Sequence, residues 1–226
     1  ILLKYRGNRS EIEIPENVCV ISNGFLENPA SVNEITLPAQ MEEISKGAFQ
    51  GCTSLRKVVL PEHLTKIGIG AFQDCTALQT MVLPDSVTEL GEDAFLGCKS
   101  LQKLVLSKNL KCIPQRAFYQ CTSLNEIVIP SGVERIESQA FVQCSSLYAL
   151  SLPETVSYVG QNNFNGDTAL LSLTVYNPDC HLMTSDYELP KQVLLYCYQD
   201  SSLYWYAQQY GREYVLLDTP ETTTPS

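Results

Sequence analysis

The sequence predicts a solenoid, mainly β, in which short parallel strands are stacked coil on coil, and three observations carry that prediction. The pair Ala48-Phe49 returns as Ala71-Phe72, Ala94-Phe95, Ala117-Phe118 and Ala140-Phe141, and again as Asn163-Phe164, always 23 residues apart. A cysteine follows each of the first five pairs at one offset, giving Cys52, Cys75, Cys98, Cys121 and Cys144, with Asp167 closing the column. Ile14-Pro15, Leu37-Pro38 and Leu60-Pro61 keep the same 23-residue step. A fixed period of this length marks repeats that cannot bury their apolar faces alone and must stack on their neighbours.

The first coil is only partly regular. Residues 11–21 fit the repeat, and Ile21 leads to Ile44 and Ile67, but Gly24-Phe25 falls one residue short of the Ala-Phe register and Asn28-Pro29 replaces the Gly-Cys pair. A terminal repeat with one face towards solvent is expected to deviate in this way. The unit is clearest from Leu78 to Cys98. Met81 and Leu83 alternate with Thr80 and Val82, the period of a short strand with its apolar side turned inward. Pro84 ends that strand because proline has no N–H to give a ladder, and Asp85-Ser86 supplies turn chemistry. A second extended piece turns Val87 and Leu90 inward and ends at Gly91, after which Phe95 fills the far corner within a short helical or 3₁₀ turn. Each coil inserts several large apolar side chains worth about 1.5–3 kcal/mol apiece when fully buried. The backbone ordering cost is about 1–2 kcal/mol per residue, so one coil alone does not fold.

Beyond Phe164 the pattern thins. Residues 170–176 keep the strand but lose the proline, and 177–190 reads as irregular. Residues 193–198 form one more strand. Ser201 or Ser202 caps a short helix over 203–210, with Gly211 as its stop. Residues 214–217 make a final strand, and the aromatic cluster containing Trp205 is expected to cover the last open coil. The predicted organisation is a solenoid over 1–176 of about seven coils, a C-terminal capping segment over 177–218, and a Thr/Pro linker over 219–226.

Composition narrows the function. Fifteen basic against 25 acidic residues leave a net charge of −10 and no Lys/Arg cluster, which disfavours nucleic acid and anionic lipid. No apolar run is long enough to insert in a membrane. The chain opens at Ile1 as a fragment or processed form would. The cysteine column puts equivalent Cα atoms about 4.8 Å apart, within disulfide range, but its side chains point the same way and five members cannot all pair. Buried free thiols are the reading that fits. Cys19 and Cys112 lie off the column, and a bridge between Cys180 and Cys197 stays open.

The unit Leu-x-x-(apolar)-x-Leu-Pro-x-x-Val-x-x-Ile-Gly-x-x-Ala-Phe-x-x-Cys resembles the leucine-rich repeat of the BspA-like, or Treponema pallidum-type, family. The resemblance runs from about residue 11 to 176, and the segment from Leu195 to Gly211 is similar to the closing segment often found after such repeats. Ser107 in place of proline, Pro114 and Glu137 in place of glycine, and Asn163 in place of alanine depart from it. The resemblance implies a leucine-rich-repeat solenoid from a secreted or cell-surface protein of host-associated bacteria. Its relatives act in adhesion and in binding host matrix proteins. It implies no catalytic residue.

The search for chemistry agrees. His63 and His181 stand alone without a metal-ligand spacing, the repeated cysteines offer no singular nucleophile, and no glycine-rich phosphate loop occurs. No cofactor or metal is expected. What remains is a surface formed by the outward strand positions. One column reads Val59, Val82, Val105 and Val128, then Ser151 and Thr174; the adjacent column reads Lys57, Thr80, Lys103, Glu126, Ala149 and Ser172, with Tyr148 nearby. β-branched residues suit strands whatever their role. A flat apolar stripe edged by charge is also a partner-binding face. The expected partner is a protein, from the host matrix or another cell surface. A glycan, held by Tyr119-Gln120, Tyr148 or the region 204–206, is a second class, and a structural spacer of a larger protein a third.

Overall fold

The structure is a computed structural model that describes residues 5, 10–21, 23–26, 29–183 and 189–218. The predicted Thr/Pro linker, 219–226, lies outside the described residues. The chain winds into a β-solenoid of about nine turns with parallel strands and one helix near its C-terminal end.

Each regular coil contributes two short strands. The first set comprises β1 (Glu11–Glu13), β2 (Glu34–Thr36), β4 (Lys57–Val59), β6 (Thr80–Val82), β8 (Lys103–Val105) and β10 (Glu126–Ile127). It continues through β12 (Ala149–Leu152), β14 (Ser172–Val175), β16 (Leu194–Cys197) and β17 (Tyr214–Leu216). The second set comprises β3 (Glu43–Ile44), β5 (Lys66–Ile67), β7 (Glu89–Leu90), β9 (Cys112–Ile113), β11 (Arg135–Ile136), β13 (Tyr158–Val159) and β15 (His181–Leu182). All pairings are parallel, and the regular ones hold the 23-residue register, as in Thr80 beside Lys103 and Val82 beside Val105. The segment 177–190 that reads as irregular therefore still adds β15 to the second ladder, His181 pairing with Tyr158. Its strand is held by backbone bonds and carries no apolar alternation for a sequence reading to find.

The proline after each first strand works through its carbonyl. Pro38, Pro61, Pro84, Pro130 and Pro153 each accept from the N–H three residues on, closing one turn per coil. Ser107 does the same towards Leu110, and its buried hydroxyl donates to Asp85 O. The third corner is a hydrogen-bonded turn with two left-handed residues per coil. One column runs at 23-residue steps from Gly47 to Asn162 with φ of 54–64°, the other from Gly51 to Gly166 with φ of 58–85°. These backbone reversals turn alternate N–H groups to the next coil: Gly47, Phe49 and Gly51 each donate to it over 2.8 Å. Phe49, Phe72, Phe95, Phe118 and Phe141 stack behind this corner with successive centroids 5.3–6.1 Å apart, all fully buried.

At Gly68, Gly91 and Gly160 the residue after the second strand has no room for a side chain, although Pro114 and Glu137 occupy the same position in other coils. A Cβ on Gly91 would lie 2.4 Å from the backbone nitrogen of Ile69 in the preceding coil. The N–H at this position, in Gly68, Gly91, Glu137 and Gly160, donates to the carbonyl 24 residues back. Pro114 has none to donate, and there the second ladder divides into β3-β5-β7 and β9-β11-β13-β15. The first ladder divides twice, between β4 and β6 and between β10 and β12.

All nine cysteines are free, Cys180 and Cys197 included, so the bridge left open between those two is not formed. In the column, Cys75, Cys98, Cys121 and Cys144 each donate Sγ–H to the carbonyl of the phenylalanine 26 residues earlier, over 3.1–3.2 Å. At the C-terminal end, α1 (Ser202–Tyr210) is capped by Ser201, whose Oγ accepts from Tyr204 N, and stopped by Gly211 at φ 60°. The helix covers the core with Leu203, Tyr206 and Ala207, whereas Trp205, expected to cover the last coil, is 57 % exposed.

Candidate functional site: the outward face of the first strands

The face is built by strand alternation. In β6 and β8 the middle residues Met81 and Leu104 are buried, so Thr80, Val82, Lys103 and Val105 point out. Val59, Val82, Val105 and Val128 are exposed, from Val105 at 41 % to Val128 at 70 %. The structure thus brings all four predicted valines into one file across consecutive coils. Lys57, Thr80, Lys103 and Glu126 form the parallel file beside it, also exposed. Tyr148, 49 % exposed, stands immediately before β12.

Charge is graded along this face. Glu11, Glu13 and Glu34 gather at the first coils beside Tyr5 and Thr36, and Lys57 lies 3.5 Å from Glu34. Both partners of that pair are solvated, so it adds less than about 1 kcal/mol. Lys103 and Glu126 are register neighbours without an ion pair among the described residues, which leaves both heads for a partner.

Where the ladder divides between β10 and β12 the face opens into a groove of about 310 Å3, bounded by Ile127, Val128, Ile129, Tyr148, Pro153 and Tyr176. A second groove of about 390 Å3 lies beside it between Val105 and Val128, with Lys103 and Lys108 on its rim. Tyr176 and Leu171 were not legible as site residues. Tyr176 occupies the coil position held by Pro130 and Pro153, and Leu171 the one held by Tyr148, and both are exposed. The lost proline at 176 was the available signal. The apolar surface therefore does not end at Ser151 and Thr174 but passes around them through Tyr148, Leu171 and Tyr176.

Other predicted elements are scattered. Tyr119 and Gln120 sit in the turn behind the phenylalanine stack, where Gln120 bonds Gln143 at 2.8 Å. Tyr206 is buried and Tyr204 packs edge-on against Trp205 and Tyr214. The positions a glycan site would use are not gathered. His63 is exposed in a turn, and His181 lies near Tyr158, whose ring also receives the Arg135 guanidinium at 4.2 Å. No group of metal-ligating residues and no helix long and apolar enough to cross a membrane occurs among the described residues. Within the cysteine column, burial raises the pKa of Cys98, Cys121 and Cys144 well above the ordinary thiol value, away from nucleophilic use.

Stacked coils with an outward strand face define a leucine-rich-repeat solenoid. The family model for the BspA type leucine rich repeat region matches in six copies over residues 4–99 and 66–182, and the chain belongs to that family. It is similar to the crystal structure of the leucine-rich repeat protein TpLRR from T. pallidum, at 31 % identity and a TM-score of 0.70, covering 74 % of this chain and 80 % of that one. A leucine-rich repeat protein from Bacteroides ovatus shares the fold at 20 % identity and a TM-score of 0.50, over 95 % of this chain and 70 % of the other. Comparison with curated proteins finds no match. The family is one of repeat modules that serve protein interaction or structure.

Proposed function

We propose that the chain is a non-enzymatic binding module of a secreted or cell-surface bacterial protein, which holds a protein partner on the outward face of its first strands. The observation that carries this reading is the file of exposed Val59, Val82, Val105 and Val128 running into the Tyr148 and Tyr176 groove. Exposed valines scattered singly would mean nothing, but aligned on a rigid ladder and edged by Lys57, Lys103 and Glu126 they match the apolar centre and polar rim of an interface. The surface location and a partner in the host matrix or on another cell are supported by the family.

Replacing Val82, Val105 and Val128 together by Asp tests the reading. The substituted positions point to solvent, so far-UV circular dichroism and the melting profile should hold, while binding to immobilised matrix proteins in surface plasmon resonance should fall at least about tenfold. Intact folding with undiminished binding would sink the assignment of this face.

A further inference from the structure

The groove beside Val128 has a direction. It opens where the first ladder divides between β10 and β12, and Ala149 and Pro153 both border it, so it runs along the strand for about 13 Å. Tyr148 stands at one end, one coil beyond Glu126 and one residue short of its register. Tyr176 stands at the other end, one full repeat beyond Pro153. Val128 and Ser151, register equivalents in neighbouring coils, lie between the two ends.

The groove also has a sign. Among the residues that border it Glu126 alone is charged, and Glu126 makes no ion pair among the described residues. The neighbouring groove has the opposite balance, with Lys103 and Lys108 beside Glu126. One end of the Val128 groove thus offers a carboxylate next to an exposed tyrosine ring, and the other end offers only Pro153, Ile129 and the ring of Tyr176. A guanidinium suits the first end, because its flat face stacks on an aromatic ring while its edge donates in a fork to a carboxylate. Its apolar stem covers a residue such as Val128. The net charge of −10 draws a basic partner and repels an acidic one. A volume of about 310 Å3 lies at the small end of ligand clefts and takes side chains rather than a folded element.

We propose that this groove takes an extended segment of the protein partner, with an arginine of that segment between Glu126 and Tyr148 and an apolar side chain against Pro153 and Tyr176. Side chains of an extended segment face one way at every second residue, so the length of the groove sets the arginine and the apolar residue four positions apart. The proposal rests on this face being one that binds protein, and it adds the partner's chemistry, basic and apolar. Glu126 selects the charge, and the Tyr176 end selects the spacing. The charged contact is solvated, so salt weakens it.

The probe is the peptide acetyl-Arg-Ser-Val-Ser-Leu-amide, in this order and reversed, with citrulline in place of arginine as the uncharged isostere. In an NMR titration of the whole chain, one order should shift the methyl signals of Ile127, Val128 and Ile129 and the ring signals of Tyr148 and Tyr176, and the citrulline peptide should bind at least about threefold more weakly. Glu126→Gln, at an exposed position, should leave the melting profile unchanged and erase that difference, and Tyr148→Ala should reduce it. Shifts that are absent or spread over carboxylates elsewhere, equal affinity for the two peptides, or a difference that survives Glu126→Gln overturns the proposal. A methyl glycoside that displaces the peptide at lower concentration also overturns it, and makes the groove a glycan site. The wider assignment of the face is read separately: matrix-protein binding that falls with the three valine substitutions but not with Glu126→Gln keeps the face and overturns the arginine site.

Discussion

At Asp167 one residue breaks the chemistry of a column without breaking its geometry. It stands where five coils have cysteine, is fully buried, and accepts from Cys144 N through Oδ1 at 2.8 Å, while Oδ2 has no partner. The four thiols from Cys75 to Cys144 each reach the carbonyl 26 residues earlier, which for Asp167 is that of Phe141. Burial pushes the carboxyl up to about 8, so at neutral pH it stays largely protonated. The linkage has a definite sign. The folded state holds a proton that the unfolded chain releases near the ordinary carboxylate value of about 3.9, so this contribution is whole below that value and is lost as pH rises through about 8. Urea unfolding should show stability falling towards alkaline pH at about 1.4 kcal/mol per unit of pH within that window. Asp167→Cys, which completes the column, should remove this slope; an unchanged slope would assign it to other groups. The neighbouring rule at Gly91 is steric. Gly91→Ala drives a methyl into the Ile69 backbone and should cost about 3 kcal/mol or more in the same assay, against near-neutrality at exposed sites.

At the scale of the element, the strands were legible wherever apolar residues alternated with polar ones, as in β6 and β8, and the capped helix was legible from Ser201 and Gly211. The divisions of the ladders were not, because a repeat pattern reports similarity between coils and says nothing of the hydrogen bonds between them. Pro114 is the exception, a departure visible in sequence whose missing N–H coincides with a break. Pro114→Gly restores the missing donor. Its new amide should become protected from exchange, with net stability changing by less than about 1 kcal/mol because the added bond and glycine's extra unfolded-state freedom oppose each other. The site was half legible for a related reason. The valine file is periodic and was visible; Leu171 and Tyr176 complete it from positions that hold other residues in other coils, and only the folded chain brings them beside Tyr148.

Across the whole molecule, contacts run between neighbouring coils, so stability is a sum of coil and interface terms and opening starts at the ends. The free thiols turn that into a measurement. Every coil from Cys52 to Cys144 hides one sulfur in its core, and Cys180 and Cys197 extend the series. A thiol-reactive probe, with exposed Cys19 and half-buried Cys112 labelled first, should then modify Cys197 and Cys52 before Cys98 and Cys121, in order of distance from the nearer end. Simultaneous labelling would mean that the coils open as one unit. The column that makes a tight corner in each coil is thus also a graduated scale along the axis, on which the progress of unfolding can be read residue by residue without altering the chain.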